Sequence, residues 1–178
     1  GAVTFDIVST KDTATLIGHN GYTITAATAL TWTSASTATS VKSGQAPGNL
    51  VFTLGITTAL ADTDTLDITA SQAIWSAATA TTCNATIGGT TTTAFSTAAT
   101  NTSILRVTAS DTIATGTFVL TCTNNTAVNG AAGAVTFDIV STKDTATLIG
   151  HNGYTITAAT ALTWTSASTA TSVKSGQA

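Results

Sequence analysis

One fact constrains this chain more than any other: residues 1–46 recur without a single change as residues 133–178. The two copies lie 132 residues apart, and the identity covers positions that a shared fold would leave free to drift. Such a repeat implies a recent or continually homogenised tandem array. A period of 132 exceeds the roughly 20–45 residues of a solenoid unit and matches one complete domain. The sequence therefore reads as beads on a string, each bead closing its own core.

Composition says what kind of bead. The chain holds 46 threonines and 15 serines, lacks Glu and Met, and has a single proline, Pro47. Long helices lean on Glu, Lys, Leu and Arg, which are nearly missing here. The branched β-carbons of Thr and Val suit a pleated surface instead. Alternation of apolar and polar residues marks the strands. Val3, Phe5 and Ile7 share a face, as do Leu30 with Trp32, and Leu50, Phe52, Leu54 and Ile56. Leu66 and Ile68 follow, then Cys83, Ala85 and Ile87, then Leu105 and Val107, then Phe118, Leu120 and Cys122. Weaker stretches are Tyr22–Thr25 and Thr91–Ser96. Turn-like clusters separate them at Gly18–Gly21, Gly44–Asn49, Gly88–Gly89 and Asn124–Gly130. This spacing predicts an all-β sandwich with about eight or nine short strands per 132-residue repeat. One complete bead is expected over residues 26–157. Residues 1–25 would finish the preceding repeat and 158–178 would open the next. Beads would be joined by the short segment 25–29, or by a strand given to a neighbour, with Leu30–Ser34 and Val135–Val140 as candidates.

Certain phrases carry a resemblance. The run Leu60–Thr69, LADTDTLDIT, and the run Ile113–Thr121, IATGTFVLT, which leads into Ala131–Ser141, AAGAVTFDIVS, share a low-information pattern. It resembles the Thr/Ala-rich immunoglobulin-like tandem repeats of extracellular microbial and algal filament and surface proteins. That resemblance implies an immunoglobulin-like sandwich in a head-to-tail, glycosylated, extracellular array.

Few residues invite chemistry. Cys83 and Cys122 are the only cysteines, both on the apolar phase of their strands. They suit a disulfide that pins the sandwich; two buried free thiols are the alternative. Closing 39 residues would stabilise by about 4 kcal/mol on the chain-entropy view. Three Asn-x-Ser/Thr sequons make Asn84, Asn101 and Asn124 candidates for N-linked glycan. Ser34, Ser36, Thr37 and Thr39, with Thr90, Thr91, Thr92 and Thr93, are candidates for O-linked sugar. Sugar would explain how a surface with only 7% charged residues stays in solution. Asp62, Asp64 and Asp67 form an acidic cluster without the glycine-centred loop of a calcium site, so no metal is expected. His19 and His151 are one repeat position seen twice, placed by composition in a Gly-His-Asn-Gly turn. No nucleophile elbow, phosphate loop or paired-carboxylate motif is present, so no catalytic residue is named and no enzyme is expected.

A formal net charge of −3 offers no basic stripe for nucleic acid. No apolar run approaches the length of a membrane span. The expected function is that of a structural subunit in an extracellular glycosylated filament or surface coat. Its partners would be neighbouring copies of itself, with no small-molecule substrate and no cofactor beyond covalent glycans. The alternative is a stalk repeat of a large cell-surface adhesin.

Overall fold

The computed structural model describes residues 2–7, 16–23, 28–38, 40–76, 82–123, 127–144 and 146–165. In chain order its strands are β1 (Ala2–Ile7), β2 (Leu16–Thr23), β3 (Thr31–Thr37), β4 (Leu50–Ile56), β5 (Thr65–Ala70) and β6 (Thr82–Ile87). They continue with β7 (Thr90–Thr92), β8 (Phe95–Ala99), β9 (Ile104–Ala109), β10 (Gly116–Thr123), β11 (Gly133–Ser141) and β12 (Leu148–Ile156). The chain is all-β, as the Thr-rich, Glu-free composition demands.

Two five-stranded antiparallel sheets form the sandwich. The first has the order β3-β4-β10-β6-β7, the second β12-β11-β5-β9-β8. All ten strands from Thr31 to Ile156 belong to this one body, somewhat more than the eight or nine the spacing suggested. The difference comes from Thr91–Ser96. That weak stretch splits at Thr93–Ala94 into β7 and β8, which lie in different sheets and turn the corner between them.

Alternation in the sequence becomes alternation in burial. Strand β4 buries Leu50, Phe52, Leu54 and Ile56, while Val51, Thr53 and Gly55 face outward. Leu66 and Ile68, Leu105 and Val107, and Phe118, Leu120 and Cys122 meet them from β5, β9 and β10. Phe52 lies edge-on to Phe137 with ring centroids 5.0 Å apart, and stands 6.0 Å from Trp75. These three buried rings join the two sheets, since Phe52 sits on β4 and Phe137 on β11. Each such ring buries about 150–250 Å², so the aromatics dominate the core.

The open edges of the two sheets are brought together. At one end Ala29 bridges Ala146, and at the other Lys42 bridges Thr157, both in parallel sense. Between these bridges β3 and β12 run side by side. Trp32 of β3 stacks on His151 (5.1 Å) and Phe137 (6.5 Å). Setting the two edges side by side shields backbone that would otherwise invite aggregation. Both strands considered for donation therefore pair inside the same sandwich, β3 with β4 and β11 with β5 and β12.

The Gly-His-Asn-Gly segment is a correction. It forms no turn: residues 150–153 lie inside β12 and residues 18–21 inside β2. Gly150 takes φ +67° and its N–H donates to Asp138 Oδ1 at 2.6 Å, where the β11–β12 register shifts. Gly18 repeats this with Asp6. A glycine in left-handed conformation at a register shift is a β-bulge, which bends a strand without ending it. A side chain at Gly153 would run into the Phe137 ring and lie 2.9 Å from the Val135 carbonyl oxygen.

Candidate functional site at the two poles of the sandwich

The geometry that bears on assembly is where the chain arrives and where it leaves. Residues 29–42 and 146–157 run in the same direction along one side of the body. The chain arrives beside Ala146 and departs at Thr157, beside Lys42. The eleven steps from Ala146 to Thr157 span at most about 36 Å at roughly 3.3 Å each. Arrival and departure thus lie at opposite poles.

Each pole is fixed by a buried polar group. At the arrival pole Asp144 is buried, and its Oδ1 accepts from Thr58 Oγ1 at 2.9 Å and lies 3.1 Å from Thr57 Oγ1. The Thr57 hydroxyl also reaches the Ala29 carbonyl oxygen at 2.8 Å, and Thr58 meets the Thr28 hydroxyl at 3.1 Å. The hydroxyls of Thr57 and Thr58 thereby tie the incoming segment to the β4–β5 connection, and Asp144 holds both threonines from beneath. At the departure pole Asn129 is buried. Its Nδ2 donates to the carbonyls of Ser40 (3.2 Å) and Lys42 (3.1 Å), and its Oδ1 accepts from Tyr154 OH at 2.9 Å. Asn129 N–H donates to Gln45 O, while Ser43 N–H donates to Thr157 O at 2.9 Å. Burial pushes the Tyr154 phenol up to about 12. Sequence reasoning missed both residues: Asn129 stood in a polar stretch assigned to a turn, and Asp144 in an unremarkable Ser-Thr-Lys-Asp run. The one available signal was Tyr154, because a tyrosine on a buried strand phase requires a partner for its hydroxyl.

The two outer faces differ in charge. Strands β3, β4, β10, β6 and β7 contain no Asp, Lys, Arg or His. Their outward rows run Thr53–Val119–Thr86–Thr91 and Val51–Thr121–Asn84 across the strands. The second sheet carries Asp138, Asp67 and Arg106, the last two in a bidentate pair at 2.7 Å. Asp64 is engaged as well. It accepts from the Ala61 N–H and the Thr142 hydroxyl and faces Lys143 Nζ at 3.4 Å, and the Ala61 hydrogen bond leads in lowering its pKa. Among the described residues no group of three His, Cys or Asp side chains is placed to hold a metal.

The expected sites fall as follows. Cys83 and Cys122 form a disulfide. It lies within one sheet: the two are directly opposed on neighbouring strands β6 and β10, with Cα atoms 4.0 Å apart. Alternation tells which face a residue takes, not which strand lies beside it. Asn84 is exposed on the uncharged face, and Thr86 of the same sequon points to that side. Asn101 is exposed, and its Oδ1 accepts from the N–H groups of Ser103 (2.7 Å) and Ile104 (2.9 Å). Asn124 and Thr39 lie outside the described residues. Ser34, Ser36 and Thr37 fall on β3, at the sheet edge. Thr90, Thr91 and Thr93 are exposed, whereas Thr92 is half-buried and its hydroxyl accepts from the Ala94 N–H. No helix among the described residues is long and apolar enough to cross a membrane.

No family model matches the chain, and neither a curated protein nor a solved structure is similar to it.

Proposed function

We propose that this chain is a segment of an extracellular filament or surface coat, built from 132-residue sandwich beads joined head to tail and bearing glycans. The observation that carries the reading is the pairing of a verbatim repeat with opposite poles of arrival and departure. A chain that left beside its point of arrival would stack beads laterally; one that leaves at the far end extends a rod. From Thr157 only four residues lead to Ala161, the copy of Ala29, so the linker adds at most about 13 Å. A short link between beads locked at each pole favours a semi-rigid fibre.

The disulfide fits an oxidising compartment. The sheet free of charge is the natural carrier of sugar, with Asn84 exposed on β6, one strand in from the edge, and threonine rows beside it. Glycan there would supply the hydration that its side chains do not. The role is structural, with no catalytic residue, cofactor or small-molecule substrate, and the partners are copies of the same unit. A stalk repeat of a surface adhesin would share all of this and differ by a dissimilar recognition domain elsewhere in its gene.

Intact-mass measurement of the native material tests the reading. The expected result is a repeat mass well above the polypeptide value, with peptide mapping placing sugar on the β6–β10 face and two hydrogens lost per Cys83–Cys122 pair. An unmodified mass from an intracellular fraction with both thiols free would overturn it.

A further inference from the structure

Charge is divided unequally between the two poles. At the departure pole the connecting segments are 38–49, 71–81, 100–103 and 124–132, and their one charged side chain is Lys42. At the arrival pole the segments 57–64, 110–115 and 142–147 hold Asp62, Asp64, Asp111 and Asp144 against the single cation Lys143. Two of these carboxylates are engaged in their own bead, Asp64 by Lys143 and Thr142, Asp144 by Thr57 and Thr58. Asp62 and Asp111 are exposed, as is Lys42. The backbone fixes where the two acids stand. Thr63 N–H donates to Ala109 O and Ala109 N–H to Asp64 O, both at 2.9 Å, clamping the Asp62 turn to the segment that carries Asp111. In that turn Thr63 holds φ +71°, which a β-branched residue adopts only under constraint.

We infer that Lys42 of each bead meets Asp62 and Asp111 of the bead that follows it in the chain, numbered as in this repeat. The partner of the departure pole is thus the arrival pole of the next copy. Thr157, whose backbone bridges Lys42, is only four residues from Ala161, the copy of Ala29, a span of at most about 13 Å. A tether this short holds the two poles at an effective concentration on the order of millimolar, so exposed ion pairs, individually weak, suffice to orient them. Two arrival poles would set acid against acid, so the contact has one direction. It rests on the filament reading and deepens it by naming the surfaces through which consecutive beads meet.

A zero-length carbodiimide tests the contact in an array of several complete repeats. The reagent condenses a carboxylate and an amine into an amide, takes up the lost water as a urea, and joins only groups already touching. Within one bead Lys42 and Asp62 lie beyond opposite ends of β4, whose length alone sets them about 20 Å apart, so an amide between them reports a junction. Lys143 and Asp64, 3.4 Å apart, are the internal standard. Peptide mass spectra of the single-chain fraction should show Lys42 joined to Asp62 or Asp111. Salt at about 1 M, where the screening length is about 3 Å, should remove that product. Micrographs of the same arrays give a second readout. Lys42→Asp should widen the spread of bead-to-bead angles, and adding Asp62→Lys with Asp111→Lys should narrow it again. Evenly strung beads with no Lys42 amide, or angles indifferent to Lys42→Asp, overturn the contact and leave the filament reading standing. So does stiffness that vanishes with a calcium chelator and ignores Lys42, which would give the two acids to a cation instead. Beads that are not strung at all would end both.

Discussion

Phe137 and Phe5 are the same residue in the same 46-residue sentence, yet one is completely buried and the other is half exposed. Tyr154 and Tyr22 differ likewise, and so do Trp32, packed against the core, and Trp164, 82% exposed. The glycine bulge and four cross-strand pairs, Phe5 with His19 and Phe137 with His151 among them, recur at the same repeat positions in both hairpins, so these are local properties of the sequence. Burial is not local. It is conferred by β5 and by the aromatic surface of Trp32, Phe52 and Trp75. The comparison separates what the segment encodes from what its surroundings supply.

Paired substitutions can break or sharpen this contrast. The largest difference is expected at the ring. Phe137→Ala should lower unfolding stability by about 3–5 kcal/mol, because it removes a buried ring and leaves a cavity. Phe5→Ala should stay within about 0.5 kcal/mol, as exposed positions do. Urea unfolding followed by tryptophan fluorescence gives both values, and equal losses would refute the distinction. A smaller gap is expected at the phenols. Tyr154→Phe leaves Asn129 Oδ1 buried without its donor and should cost about 1–3 kcal/mol. Tyr22→Phe should shift the urea midpoint negligibly. Smallest is the dependence on alkali. The Tyr154 phenol is raised from 10 to about 12 in the folded chain, so the unfolded state loses its proton first. Its contribution is fully present below pH 10 and is lost as pH climbs from there towards 12. Stability measured across that window should fall less steeply in Tyr154→Phe than in the parent.

Much of this was readable beforehand, for a physical reason. Alternation has a period of two in any half-buried strand, so Leu50 to Ile56 and Phe118 to Cys122 announce both their structure and their inner face. The cysteine pairing was legible because only two are present. Neighbour relations were not. That Cys83 would oppose Cys122 within one sheet depends on strand order, which alternation does not encode. Gly-His-Asn-Gly misled because glycine marks bulges as readily as turns, and only the partner Asp138, twelve residues away, selects between them. Asn129 was illegible for a related reason: its value comes from Ser40, Lys42 and Tyr154, distant in sequence.

Everything functional in this account depends on the chain traversing each sandwich from pole to pole. Electron microscopy of an array of several repeats measures that directly. A rod with one bead per 132 residues, at a constant rise between about 30 and 50 Å, is the predicted image. Beads folded back against each other, or an irregular spacing, would contradict it.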